Sequence, residues 1–241
     1  MRYAVLSDIH GNLESLRAVL ADAAGRADAV LCLGDTVGYG ADPGPCVELV
    51  AERAMAWVAG NHEYAVAGRL DLEWFNRHAR AAAEWTVEQL ADDCRQYLGT
   101  LPVRAEVGDA ILVHASPVHP EEWDYVVSAE DGFAALSAVS TRLCFLGHSH
   151  LPGVWSLGSS GPAHEPGCVD MRLQPGRRYL VNVGSVGQPR DGDARAAYGL
   201  WDVEARHVAI RRVPYDIETA RRKILAVALP SVLADRLRGG R

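Results

Sequence analysis

Short apolar runs recur through the first two-thirds of the chain, and each ends in a polar residue of one particular kind. Tyr3-Ala4-Val5-Leu6 is followed by Asp8 and His10, and the run from Ala29 to Gly34 by Asp35. The run from Ala56 to Gly60 leads to Asn61, His62 and Glu63. Ala110 to Val113 leads to His114, and Leu143 to Gly147 leads to His148 and His150. Runs this short, bounded by Gly and polar residues, predict strands. Strands of one sheet deliver their ends to one edge, so groups far apart in sequence can meet in space.

Between the runs the spacing turns helical. Leu13, Leu16, Ala18, Val19 and Leu20 predict an amphipathic helix with Asn12 as N-cap. After a glycine-rich stretch from Gly38 to Gly44, Pro45 opens a second predicted helix carrying Val47, Leu49 and Val50. The β-α-β-α-β order implies parallel strands with right-handed crossovers. Residues 71–99 break the rhythm: Leu72, Phe75, Ala79, Ala82, Ala83, Leu90, Cys94 and Leu98 recur at helical spacing. They predict one long helix or two shorter ones, stopped by Gly99. A helix is also expected over Ala129–Val139. From Val154 the pattern is β-rich, with strands over Val154–Leu157, Tyr179–Val183, Ala197–Asp202 and His207–Val213. Gly158–Gly167 reads as a mobile surface loop, and Asp216–Leu237 as helical with a break at Pro230. The expected fold is α/β: two packed mixed β-sheets flanked by helices, an α-β-β-α sandwich. One domain would span residues 1–241, with a helical cap-like insert at about 65–100.

Composition narrows the setting. The 241 residues, 49% hydrophobic, suffice for one well-packed domain. No stretch reaches the apolar length of a membrane span, and the N-terminus opens on a strand rather than a secretory leader. The five cysteines are odd in number and sit mostly in apolar runs, which suits reduced thiols and a cytoplasmic location. Cys168, in a polar segment, is the exception. A formal charge of -7 argues against a broad nucleic-acid-binding face, but not against small anionic substrates.

The candidate chemistry lies in the residues that end the strands. They offer carboxylate, amide and imidazole donors and no thiolate, which favours Mn, Fe, Zn, Ni or Mg in a hydrolytic role. Asp8-Ile9-His10 or Gly34-Asp35 alone is weak, because Asp at a strand end is usually a turn residue. Gly60-Asn61-His62-Glu63 is stronger. Gly147-His148-Ser149-His150 is strong, since two imidazoles two residues apart after a strand have few structural uses.

Taken in order, these elements resemble the calcineurin-like metallophosphoesterase superfamily, with its D-x-H, G-D, G-N-H-[D/E], lone H and G-H-x-H motifs. Asn182-Val183-Gly184-Ser185-Val186-Gly187-Gln188-Pro189-Arg190 looks like a segment that bacterial members carry after the last of them. The resemblance implies two divalent metal ions. One would be held by Asp8, His10, Asp35 and His150, the other by Asp35, Asn61, His114 and His148, with Asp35 bridging. It further implies a binuclear phosphoester hydrolase in which a metal-bridged hydroxide attacks phosphorus. His62, beside Asn61, would be the general acid to the leaving group. In the superfamily's protein phosphatases an Asp three residues after the bridging one orients this histidine. Gly38 stands there instead, leaving Glu63 or a loop carbonyl to take over the task.

The same relatives carry arginines beside the bridging Asp and near Gly-Asn-His. Here those segments read Asp35-Thr36-Val37-Gly38-Tyr39-Gly40 and Val58-Ala59-Gly60, without arginine. Losing a bidentate phosphate grip shifts the expectation to a compact bacterial phosphodiesterase or a nucleotide phosphoanhydride hydrolase. A phosphomonoesterase or protein phosphatase, and a non-catalytic scaffold, are the alternatives. Tyr39, Asn76 and Arg80 are candidate substrate contacts, whereas Trp74, Phe75 and Trp85 read as packing for the insert. The expected partner is a small phosphorylated substrate, nucleotides included. His78, His119, His164 and His207 read as surface residues. The sequence leaves the oligomeric state open.

Overall fold

A computed structural model describes all residues, 1–241. Its first half alternates strand and helix: β1 (Arg2–Leu6), α1 (Leu13–Ala23), β2 (Ala29–Cys32), α2 (Pro43–Arg53) and β3 (Ala54–Trp57). Four helical pieces follow: α3 (Asn61–Val66), a 3-10 turn at Leu72–Trp74, α4 (Arg77–Gln89) and α5 (Asp92–Thr100). Next come β4 (Arg104–Val107), β5 (Ala110–Val113), a 3-10 turn at Pro120–Glu122, α6 (Ala129–Ala138) and β6 (Leu143–Leu146). The last third holds β7 (Gly153–Gly158), β8 (Gly161–Pro166), β9 (Asp170–Arg172), β10 (Arg178–Asn182), β11 (Ala196–Asp202) and β12 (His207–Val213). It ends in α7 (Ile217–Ala226) and α8 (Ser231–Gly239).

The strands form two six-stranded sheets, ordered β3-β2-β1-β11-β12-β9 and β4-β5-β6-β10-β7-β8. Alternation decides which layer each side chain joins. In β1, Tyr3 and Val5 face the second sheet, while Ala4 and Leu6 face the helices. In β6, Leu143 and Phe145 enter the same inter-sheet core, while Cys144 and Leu146 pack under α6. Leu31, Val58, Leu112, Val181 and Trp201 complete the space between the sheets. This is the α-β-β-α sandwich expected from the sequence.

The differences lie at edges and ends. Gly158–Gly167 is not a free loop. It closes a hairpin in which β8 pairs antiparallel with β7 from Gly153↔Pro166 to Gly158↔Gly161. Trp155 and His164 stack across it with ring centroids 4.6 Å apart, and Pro162 and Pro166 are tolerated because β8 is an edge strand. The edge strands β4 and β9, mostly polar, carry no apolar run that would have announced them. Gly99 does not stop a helix: α5 runs through it to Thr100. Its missing side chain lets the helix approach Ala67. The second helix begins at Pro43 rather than Pro45, with Asp42 in the N-cap position. Cys32, Cys46 and Cys144 are buried free thiols, Cys94 is half-buried and Cys168 exposed. No helix is long and apolar enough to cross a membrane.

Candidate metal centre

β1, β2 and β3 run parallel in one sheet, and β5, β6 and β10 in the other. The loops leaving their C-terminal ends meet at one edge of the sandwich. There the backbone takes conformations that L-residues rarely adopt: φ is 54° at Asp8, 50° at His10, 53° at Asp35, 64° at His148 and 61° at His150. Such conformations persist only where the surroundings over-determine them, and they gather at functional sites. Glycine supplies the close packing between loops. A Cβ at Gly147 would strike Ser7 and the Asp8 carboxylate.

The side chains converge as the sequence suggests. His10 Nε2 lies 3.2 Å from His150 Nε2 and 3.6 Å from Asp35 Oδ2, and His150 Nε2 lies 3.2 Å from Asp8 Oδ1. His114 Nε2 is 3.2 Å from Asp35 Oδ2 and 3.1 Å from His148 Nδ1. Asp35 thus belongs to both halves. Three groups have donor atoms within 4.8 Å of one another: Asp8, His10 and His150; His10, Asp35 and His62; and Asp35, His114 and His148. Bonds of about 2.1 Å to one ion bring neighbouring donors about 3 Å apart, so these spacings suit a shared cation.

Two further observations test the fit. Asp8 Oδ1 and Asn61 Oδ1 are buried acceptors with no hydrogen-bond partner, a costly arrangement unless something else satisfies them. In addition, the Nδ1 atoms of His10, His114 and His150 donate to the carbonyls of Val37, Leu33 and Gln188. Those carbonyls fix the tautomer and turn each Nε2 lone pair inward, as metal-binding histidines require. The donor set fits divalent cations.

Electrostatics points the same way. Burial pushes Asp8 and Asp35 up, but the neighbouring histidines outweigh it and hold both carboxyls below the usual range. Burial lowers His10 well below its ordinary value and takes His148 down to about 3. His114 is the exception: burial would lower it, yet Asp35 and Asp8 raise it to about 9. Most of the cluster is therefore already in its deprotonated, cation-binding form.

Glu63 takes a role the sequence did not foretell, and His62 is held in a way it did not foretell. Glu63 does not orient His62. Its buried carboxylate accepts from the backbone N–H groups of Asp35 at 2.7 Å, Thr36 at 2.6 Å and Gly60 at 2.8 Å. It ties the loop after β2 to the start of α3. His62 is held by shape: its ring lies 4.8 Å from His10, 4.7 Å from Tyr39 and 4.8 Å from Phe75. Gly38 makes room, since a Cβ there would collide with His62 Nδ1. That nitrogen has no partner, while Nε2 faces Asp35 Oδ2 at 4.0 Å. Burial takes His62 down to about 4, against the pull of Asp35.

The segment from Asn182 to Arg190 frames the loops from behind. Asn182 Nδ2 donates to Gly147 O and Ser149 Oγ, and Ser185 Oγ donates to Asp8 O. In front, a cleft of about 220 Å³ opens over Asn61, His62 and His148, walled by Tyr39, Trp74, Phe75, Trp123 and Tyr125. Tyr125 stacks on His148 at 4.1 Å. Asn76 lines this cleft, but its Oδ1 caps α4 by accepting from His78 and Ala79 N–H. Arg80 does not line it; it is exposed and pairs with Glu84 at 2.8 Å. Trp74 does not pack the insert, being 82% exposed on the rim, whereas Trp85 packs against α7 and α8. Trp123 and Tyr125 are cleft residues that no spacing argument isolates, because they lie in loops that only the fold brings here. His207 pairs with Asp170, and none of the other surface-assigned histidines joins the cluster.

The chain is 42% identical to a metallophosphoesterase from Sphaerobacter thermophilus whose crystal structure superposes with a TM-score of 0.87, covering 100% of this chain and 99% of that one. It is 41% identical to an uncharacterized protein of Methanocaldococcus jannaschii over 99% of its own length and 98% of that protein's. A hypothetical protein from Pyrococcus horikoshii shares the fold at 22% identity and a TM-score of 0.80, covering 100% and 98% of the two chains. The family model for the calcineurin-like phosphoesterase superfamily domain matches residues 1–206, and the chain belongs to that superfamily.

Proposed function

We propose that this chain is a metal-dependent hydrolase of phosphodiesters or nucleotide phosphoanhydrides. The observation that carries the reading is the convergence of Asp8, His10, Asp35, His114, His148 and His150, with Asn61 beside them at the cleft, Asp8 and Asn61 having buried acceptor atoms that no protein group satisfies. Asp8, His10, Asp35 and His150 would hold one divalent ion, and Asp35, Asn61, His114 and His148 the other. Such ions supply Lewis acidity, activating a water and neutralising phosphoryl oxygens.

The chain's own groups then do the following. Val37, Leu33 and Gln188 carbonyls keep three imidazoles in the binding tautomer. Glu63 fixes Asp35 against the start of α3 through backbone donors on both. Tyr39, Phe75, Trp123 and Tyr125 wall the cleft and exclude bulk water. His62, at the cleft floor beside Asn61, moves the proton to the leaving oxygen. Burial keeps it neutral at rest; beside a bound anionic phosphoryl group its proton affinity would rise, so that it would take a proton from solvent and pass that proton to the leaving oxygen, returning to the neutral ring.

The test is hydrolysis of a model phosphodiester and its matching monoester by metal-stripped protein titrated with Mn²⁺. Metal-dependent diester turnover is expected. Turnover of the monoester alone would make the chain a phosphomonoesterase. Stoichiometric metal binding with no turnover of either substrate would favour a scaffold.

A further inference from the structure

The two arginines expected near a phosphate in related phosphatases are missing from the loops after β2 and β3. The structure brings another arginine to the Asp/His cluster from the segment after β10. Arg190 closes the segment that follows β10, and its backbone N–H donates to the carbonyl of His150 at 3.4 Å. Its guanidinium lies 5.7 Å from the centre of the Tyr39 ring. Tyr39 packs on His10 at 4.5 Å and on His62 at 4.7 Å. The Arg190 guanidinium therefore lies beside the Tyr39 ring that packs on His10 and His62. Gln188 Oε1 accepts from Nη2 at 3.0 Å, and no carboxylate pairs with the guanidinium. Nε is buried without a partner.

We propose that Arg190, beside the Tyr39 ring, is the substrate-binding cation that grips a non-bridging oxygen of the phosphoryl group. The proposal rests on the hydrolase reading above. A guanidinium without a carboxylate partner, half-buried beside the Tyr39 ring, has little solvent to lose and its charge is unspent.

The bland alternative is that Arg190 only braces Tyr39. Two variants separate the two: Arg190→Lys keeps the charge, and Arg190→Met keeps the aliphatic stem without the charge. The readouts are metal content, calorimetric binding of inorganic phosphate to Mn²⁺-loaded protein, and the KM and kcat of diester hydrolysis. Losing one charge-assisted contact is expected to weaken phosphate binding and raise KM about tenfold or more in Arg190→Met, with metal content unchanged and partial recovery in Arg190→Lys. Phosphate affinity and KM unchanged in Arg190→Met would overturn the proposal. So would equal losses in Lys and Met, which would mark Arg190 as a brace. If the parent protein hydrolyses neither ester yet binds phosphate through Arg190, the hydrolase reading fails and this site stands.

Discussion

At the scale of single residues, His62 and Gly38 form one device. The usual carboxylate partner of such a histidine is absent, and three rings hold the imidazole over a glycine instead. Removing the ring in His62→Ala should lower kcat by about 10²-fold or more for a diester with an alkyl leaving group. The loss should be much smaller for a nitrophenyl leaving group, which needs no proton. Equal losses on both substrates would deny His62 the acid role. Gly38→Ala should act on the same ring from below. With φ at 85° and no space for a methyl group, it should cost about 1–2 kcal/mol of stability. It should also lower kcat by on the order of tenfold through misplacement of His62, with metal content intact.

At the scale of elements, the strand-then-ligand rhythm was legible because a buried strand must be apolar and a donor must sit where it ends. That rhythm alone located β1, β2, β5 and β6 and the residues after them. It could not locate β4, β8 or β9, whose half-exposed edge positions carry polar or proline-rich sequence. Nor could it see that Glu63 is a brace, because its partners are backbone N–H groups, which every residue has. Cutting that brace is a direct test. Glu63→Ala leaves several buried N–H groups unsatisfied and should lower the unfolding free energy by about 3 kcal/mol or more in a urea titration. Glu63→Gln, which keeps an acceptor, should lose less. A Glu63→Ala variant as stable as the parent would contradict the bracing role. Residues 71–99 are largely helical, as their spacing predicts, but their contribution to the cleft comes mainly from the turn at Leu72–Trp74 and from Phe75 rather than from the face carrying Arg80.

At the scale of the whole molecule, two sheets aim their parallel strands at one edge, and the burial that stabilises the sandwich also sets the charge of the site. The metal-free cluster carries ionised Asp8 and Asp35 and one extra proton, on His114, which stands at about 9. A cation must displace that proton. Below pH 9 the apparent Mn²⁺ affinity should therefore rise about tenfold per pH unit, and it should level off above it. A chelator-competition titration from pH 7 to 10 checks this, and an affinity independent of pH would show that His114 is not displaced. The same shift gives the sign for the metal-free protein. A histidine raised on folding stabilises fully below its unfolded value near 6.5, and that contribution disappears as pH rises through about 9.

If Asp8, His10, Asp35, Asn61, His114, His148 and His150 hold two ions through one shared carboxylate, as proposed, counting the ions tests it most directly. Metal-stripped protein, reloaded with Mn²⁺ and freed of excess, should retain two ions per chain, and Asp35→Asn should retain fewer than one while keeping the native fold by circular dichroism. One ion per chain in the parent protein, or two in Asp35→Asn, would contradict the shared site.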